Sequence, residues 1–117
     1  MATLEQEFED AIWESVIEGK KLGYSPSIFL RMCEEHGVKE ACRRLMDENQ
    51  VPYGVYKLKT LNRLDLTIEA IVYDNPKFQA LFPKQTLDNA FARLSALGYP
   101  EQERPSSAGR REPLRRA

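Results

Sequence analysis

An all-α domain is predicted for this chain: one compact unit of five to six short helices over residues 1–99, followed by a disordered tail over 100–117. Three observations carry that expectation. Apolar residues recur at spacings of three and four on both sides of the middle of the chain, the period of an amphipathic helix. Gly and Pro stand between these segments as punctuation. The most apolar run, Asn62 to Tyr73, lies centrally, where flanking helices can pack against it.

That central run reads as a helix because Leu64, Ile68, Ile71 and Val72 share one helical face, with Asp65 as N-cap for the amides of Thr67 or Ile68 and Pro76 as the stop. A strand competes. Leu64, Leu66, Ile68, Ala70 and Val72 also alternate with more polar residues, and Val55 to Leu61 could pair with them in a hairpin turning at Asn62 and Arg63.

From the N-terminus, Thr3 can cap a helix from Leu4 to Leu22, with Gln6 completing a capping box and Gly23 ending it. Leu4, Phe8, Ala11, Ile12 and Leu22 form its expected inner stripe. Trp13 and Ile17, one turn apart, fall away from that stripe and, with Val16, make the surface expected to meet a partner. The alternative is that Trp13 packs under another part of the same chain.

A second helix is expected with Ser25 as cap, Pro26 at its first position and Gly37 as stop, its Ile28, Phe29, Met32 and Cys33 turned inward. The third, Val38 to about Asn49, would bury Val38, Ala41, Cys42, Leu45 and Met46. Outside, Glu40 can pair with Arg44 and Arg43 with Asp47. Gln50 to Thr60, broken by Pro52 and Gly54, reads as a connector with one turn holding Tyr56 and Leu58 against the core. Beyond the central run, Pro76 to Phe82 reads as a helical turn burying Phe78, Leu81 and Phe82. A last helix, Lys84 to Leu97, buries Leu87, Ala90, Phe91, Leu94 and Leu97 and ends at Gly98.

Size and charge narrow the classes of function. At 117 residues and 13.5 kDa the chain is one domain, 42% hydrophobic and 30% charged. Its net charge of -1 argues against a surface given over wholly to nucleic acid or anionic lipid. No run reaches the about 18 apolar residues of a membrane span, and the acidic start lacks a secretory signal pattern. The cytosol is therefore the expected compartment. The tail carries five Arg against three Glu, leaving twelve cations against fifteen anions before it.

Candidate chemistry is sparse. The sole imidazole, His36, falls at a helix C-terminus, where it favours the dipole. Cys33 and His36 could form a thiolate pair, but Cys33 lies on the inward stripe, and both Cys33 and Cys42 are expected reduced and buried. Neither forms a metal-ligand cluster, so no metal and no cofactor is expected. Asp65 and Glu69 are the carboxylates to inspect, Asp65 as a cap and Glu69 as partner to Arg63 or Lys59.

Tyr24, Pro26 and Phe29, then Gly37, Ala41 and Leu45, then Gly54 and Leu58, then Arg63, Leu64, Asp65, Leu66, Thr67 and Glu69, then Leu81 and Phe82, then Ala90, Leu94, Gly98 and Tyr99 make a succession that resembles a family of short bacterial all-helical proteins without an assigned activity. The resemblance covers Phe8 to Tyr99 and implies an all-helical fold, with no catalytic residue to carry over. Pro83 stands where that pattern would place a Ser or Thr cap.

The expected function is a non-catalytic, cytosolic protein-interaction or regulatory module, docking on a protein partner or on itself through Trp13, Val16 and Ile17. The alternative is an accessory nucleic-acid-binding role, with Lys57, Lys59 and Arg63 as backbone contacts, Tyr53 and Tyr56 as stacking platforms, and Arg110 and Arg111 in the tail.

Overall fold

The computed structural model describes residues 2–100. Within them lie six α-helices, α1 (Leu4–Lys21), α2 (Ser27–His36), α3 (Val38–Met46), α4 (Tyr53–Thr60), α5 (Ile68–Asp74) and α6 (Lys84–Leu97), with 3-10 turns at Leu64–Leu66 and Pro76–Leu81. No strand occurs among the described residues, so the hairpin alternative falls. The expected disordered tail beyond Pro100 lies outside the described residues, as do Arg110 and Arg111. No helix among the described residues is long and apolar enough to cross a membrane.

The start of α1 is set by Thr3, whose hydroxyl accepts from the Gln6 amide at 3.1 Å; Gly23, at φ 90°, turns the chain away after its last turn. Phe8, Ile12, Val16 and Gly19 are buried. Two expectations are corrected. Val16 belongs to the core because it lies one turn beyond Ile12 on the same stripe. Leu22 is exposed because the helix ends at Lys21, so the helical register that would turn it inward is lost.

Helix α2 begins one residue later than expected. Pro26, not Ser25, is the N-cap residue, and no side chain caps the helix. Its buried face centres on Phe29, and Ile28, about 100° around the helix, is 69% exposed rather than inward. Helix α3 follows at once through Gly37, whose φ of 88° suits a residue without Cβ. It stops at Met46, short of Asn49.

The larger departure is α4. Pro52 and Gly54 suggested a connector, but Pro52 sits at the N-cap, where its missing amide hydrogen costs nothing, and two helical turns follow. Val55 and Leu58 are buried; Tyr56 is exposed, against expectation, because it lies on the opposite face. This helix and the two 3-10 turns raise the helical segments above the five or six expected.

The central run is not one helix. Leu64–Leu66 forms a 3-10 turn, and Thr67 then caps α5, donating to the Leu64 carbonyl at 2.7 Å while accepting from the Ala70 amide at 3.1 Å. Asp65 is therefore not the cap; it pairs with Arg63 at 2.9 Å. The run is still the centre of the molecule, with Leu64, Ala70 and Val72 fully buried. One core joins α1, α2, α3 and α5 to Phe78 and Phe82, both of which stand edge-on to Phe8 with centroids 5.3 and 5.4 Å away. A second joins Val55, Leu64, Ala70, Leu94 and Tyr99 beneath α4. Helix α6 closes both and ends at Gly98, left-handed at φ 87°.

Candidate functional site

Helices α1, α2 and α4 leave between them a cavity of about 250 Å³, floored by the residues around the start of α5. Its wall is mostly apolar: Ile12 and Val16 from α1, Phe29 from α2, Val55 and Leu58 from α4, and Ile68 from α5. Two more apolar residues, Ile28 and Tyr53, line it while remaining 69% and 73% exposed, so they form its rim. Large side chains held out in water at a cavity mouth mark a contact surface more strongly than scattered exposed apolar residues do.

The polar groups of the floor are engaged within the chain, while Ser25, Ser27 and Tyr53 lie exposed at the mouth. Ser15 donates its hydroxyl hydrogen to the Leu66 carbonyl, and Thr67 serves the cap described above. Glu69, 2% exposed, is held by Arg93 at 2.6 Å. Burial pushes the Glu69 carboxyl up, and Arg93 opposes that shift. Arg93 also donates to the carbonyls of Leu45 at 3.2 Å and Glu48 at 2.7 Å, so one guanidinium ties α6 to α5 and to the C-terminal end of α3.

Tyr24 differs from these groups. Its phenol enters the cavity wall between two glycines, and a Cβ built on Gly54 would stand 2.3 Å from its oxygen, while one on Gly19 would stand 3.5 Å from its ring. Gly54 is thus required by close approach rather than by turn geometry. The Tyr24 hydroxyl has no hydrogen-bond partner among the described residues. Burial, with a smaller contribution from Tyr53, pushes it above its ordinary 10.0, so it stays a neutral donor.

The expected partner surface is divided by the fold. Trp13 and Ile17 are 37% and 54% exposed and do not line the cavity, whereas Val16 is part of its wall. Of the expected basic surface, Lys59 donates to the Leu97 carbonyl at 3.0 Å and Arg63 pairs with Asp65, leaving Lys57 beside the exposed Tyr56, with Tyr53 at the cavity rim.

Glu69 meets neither Arg63 nor Lys59, as the sequence suggested, but Arg93, because α5 turns that carboxylate toward α3 and α6. Burial, then Glu9, raises the Cys33 thiol to about 11, and burial raises that of Cys42 well above the usual range, so neither is a ready nucleophile. Cys33 is only half-buried, less than expected. No group of three or more His, Cys, Asp or Glu among the described residues could hold a metal ion.

Two features escaped the sequence reading. Arg93 drew no expectation from the sequence; its spacing from Thr86 and Asn89, which donate to Asp47, was the available signal of a polar seam toward α3. The cavity itself left no local signal. No family model, curated protein or solved structure matches this chain.

Proposed function

We propose that the protein is a non-catalytic interaction or regulatory module, acting in the cytosol, whose contact point is the cavity between α1, α2 and α4 rather than the Trp13 and Ile17 face. The observation that carries this reading is the exposed apolar rim, Ile28 and Tyr53, leading into an apolar wall. Such a mouth favours entry of an apolar group and gives no foothold to an ionic one. The non-catalytic part of the reading draws support from the protonated thiols and from the Glu69 carboxylate, fixed by Arg93. The nucleic-acid reading is the weaker, since Lys59 and Arg63 are engaged within the chain.

Mass spectrometry of the protein carrying a photoreactive residue at position 28, irradiated in cells, tests the reading. A defined adduct at 28 that disappears on Tyr53→Ser is expected. Adducts formed from position 17 and not from 28 would overturn it.

A further inference from the structure

The chemistry of the cavity narrows what it takes, granted the reading above that it is the contact point. An apolar cavity of about 150 Å³ holds a benzene ring. At 250 Å³, the space between α1, α2 and α4 corresponds to about ten non-hydrogen atoms on the same scale. The one charged residue of its wall, Glu69, is already neutralised by Arg93, so an ionic occupant would find no free countercharge there and would bear the cost of desolvation.

Within this apolar wall one half-buried polar group lacks a partner among the described residues. Ser15 and Thr67 donate to backbone carbonyls, and Ser25, Ser27 and Tyr53 are exposed at the mouth, where water serves their hydroxyls. The Tyr24 hydroxyl, by contrast, half-buried and held over Gly54 by the lack of a side chain there, donates to nothing among the described residues. A donor placed at an apolar wall and left without an acceptor selects for a ligand that brings one.

We infer that the cavity binds a free, uncharged small molecule with a compact hydrocarbon skeleton of about ten non-hydrogen atoms and a single hydrogen-bond acceptor, and that Tyr24 donates to that acceptor. Ile28 and Tyr53 cover the skeleton at the mouth. Tyr24 is then the residue that sets specificity, and the apolar wall supplies the rest of the affinity.

The test is a titration of the full chain with 1-indanone, a fused-ring ketone of this size, and with indane, the same skeleton without the carbonyl, followed by methyl NMR. Both probes are expected to give saturable shifts at Ile12, Val16, Val55 and Ile68. Indanone should bind about five- to ten-fold more tightly, the ratio that one net hydrogen bond produces. Tyr24→Phe should erase that preference and leave indane binding unchanged, an effect that simple loosening of the wall would not produce. Ile28→Asp, at an exposed position where the fold tolerates change, should weaken both probes.

Equal binding of the two probes to the unaltered protein overturns the role of Tyr24 while leaving the cavity as contact point. Absence of saturable shifts with either probe overturns the ligand class, and a protein adduct at position 28 in the same preparation would then leave the contact point standing with a macromolecular occupant. Should Tyr24→Phe fail to fold, the ratio measured on the unaltered protein decides alone.

Discussion

The Glu69 carboxylate and the Arg93 guanidinium meet at 2.6 Å with side chains only 3% and 7% exposed, twenty-four residues apart in the chain. A buried pair of this kind gains little over an apolar pair of the same shape, because both ions lose their water. Here the arginine does more than neutralise a charge: it also donates to the Leu45 carbonyl in the last turn of α3 and to the Glu48 carbonyl just beyond it.

Arg93→Met should therefore cost about 3–5 kcal/mol, since it strands a buried carboxylate and removes the guanidinium's bonds to the Leu45 and Glu48 carbonyls. Glu69→Gln, which leaves the carbonyl bonds in place, should cost about 1–2 kcal/mol. Urea denaturation of the two variants gives the comparison. Equal losses would mean that the carbonyl contacts contribute nothing.

Acidity should act in opposite directions at two carboxylates. Burial raises Glu69 above its ordinary 4.5, so its contribution to stability is fully present below 4.5 and is lost as pH rises through the folded value. Without Arg93 that rise grows, and Arg93→Met should regain part of its lost stability as pH falls toward 4.5. Glu40 is held down to about 2, chiefly by its hydrogen bonds to Arg43 and then Arg44. Its contribution is present above 4.5 and is lost between 4.5 and about 2. The stability difference between the unaltered protein and Glu40→Gln should shrink over that interval in pH-dependent thermal melts.

Gly54 and Tyr24 should be energetically coupled. Alanine is favoured over glycine in a helix by about 1 kcal/mol, but at position 54 its Cβ would collide with the Tyr24 oxygen at 2.3 Å. Gly54→Ala should therefore fail to stabilise the protein, while the same change made together with Tyr24→Leu should stabilise relative to Tyr24→Leu alone. A double-mutant cycle is expected to return a coupling of at least about 1 kcal/mol. A coupling near zero would place the phenol elsewhere.

On α1, Val16→Ala should lower stability by about 1–2 kcal/mol, because it opens a cavity in the core, whereas Ile17→Ala, one residue on and 54% exposed, should stay within about 0.5 kcal/mol. Chemical denaturation reads both. A large loss at Ile17 would reverse the assignment of the two faces.

What could be read from the chain was what neighbours in sequence decide. Thr3 with Gln6, Gly23 and Gly98 marked helix ends through contacts three to five residues long, and the pairs of Glu40 with Arg44 and Arg43 with Asp47 followed from helical spacing. Contacts between elements were hidden. Gly54 looked like a break because its reason, Tyr24, lies thirty residues away, and Glu69 was given local partners because nothing in its own segment points to Arg93. The cavity belongs to the same kind: Ile28 was placed inside by its hydrophobicity, yet α2 packs chiefly on α3 and leaves it at the open mouth.

The central claim, that α1, α2 and α4 enclose an apolar space open to an apolar occupant, is tested most directly by xenon, which enters dry apolar cavities and avoids polar ones. Crystals of the protein held under xenon pressure should show a xenon site in contact with Ile12, Val16, Phe29 and Ile68. Ordered waters filling that space, or no xenon there while sites appear elsewhere, would contradict it.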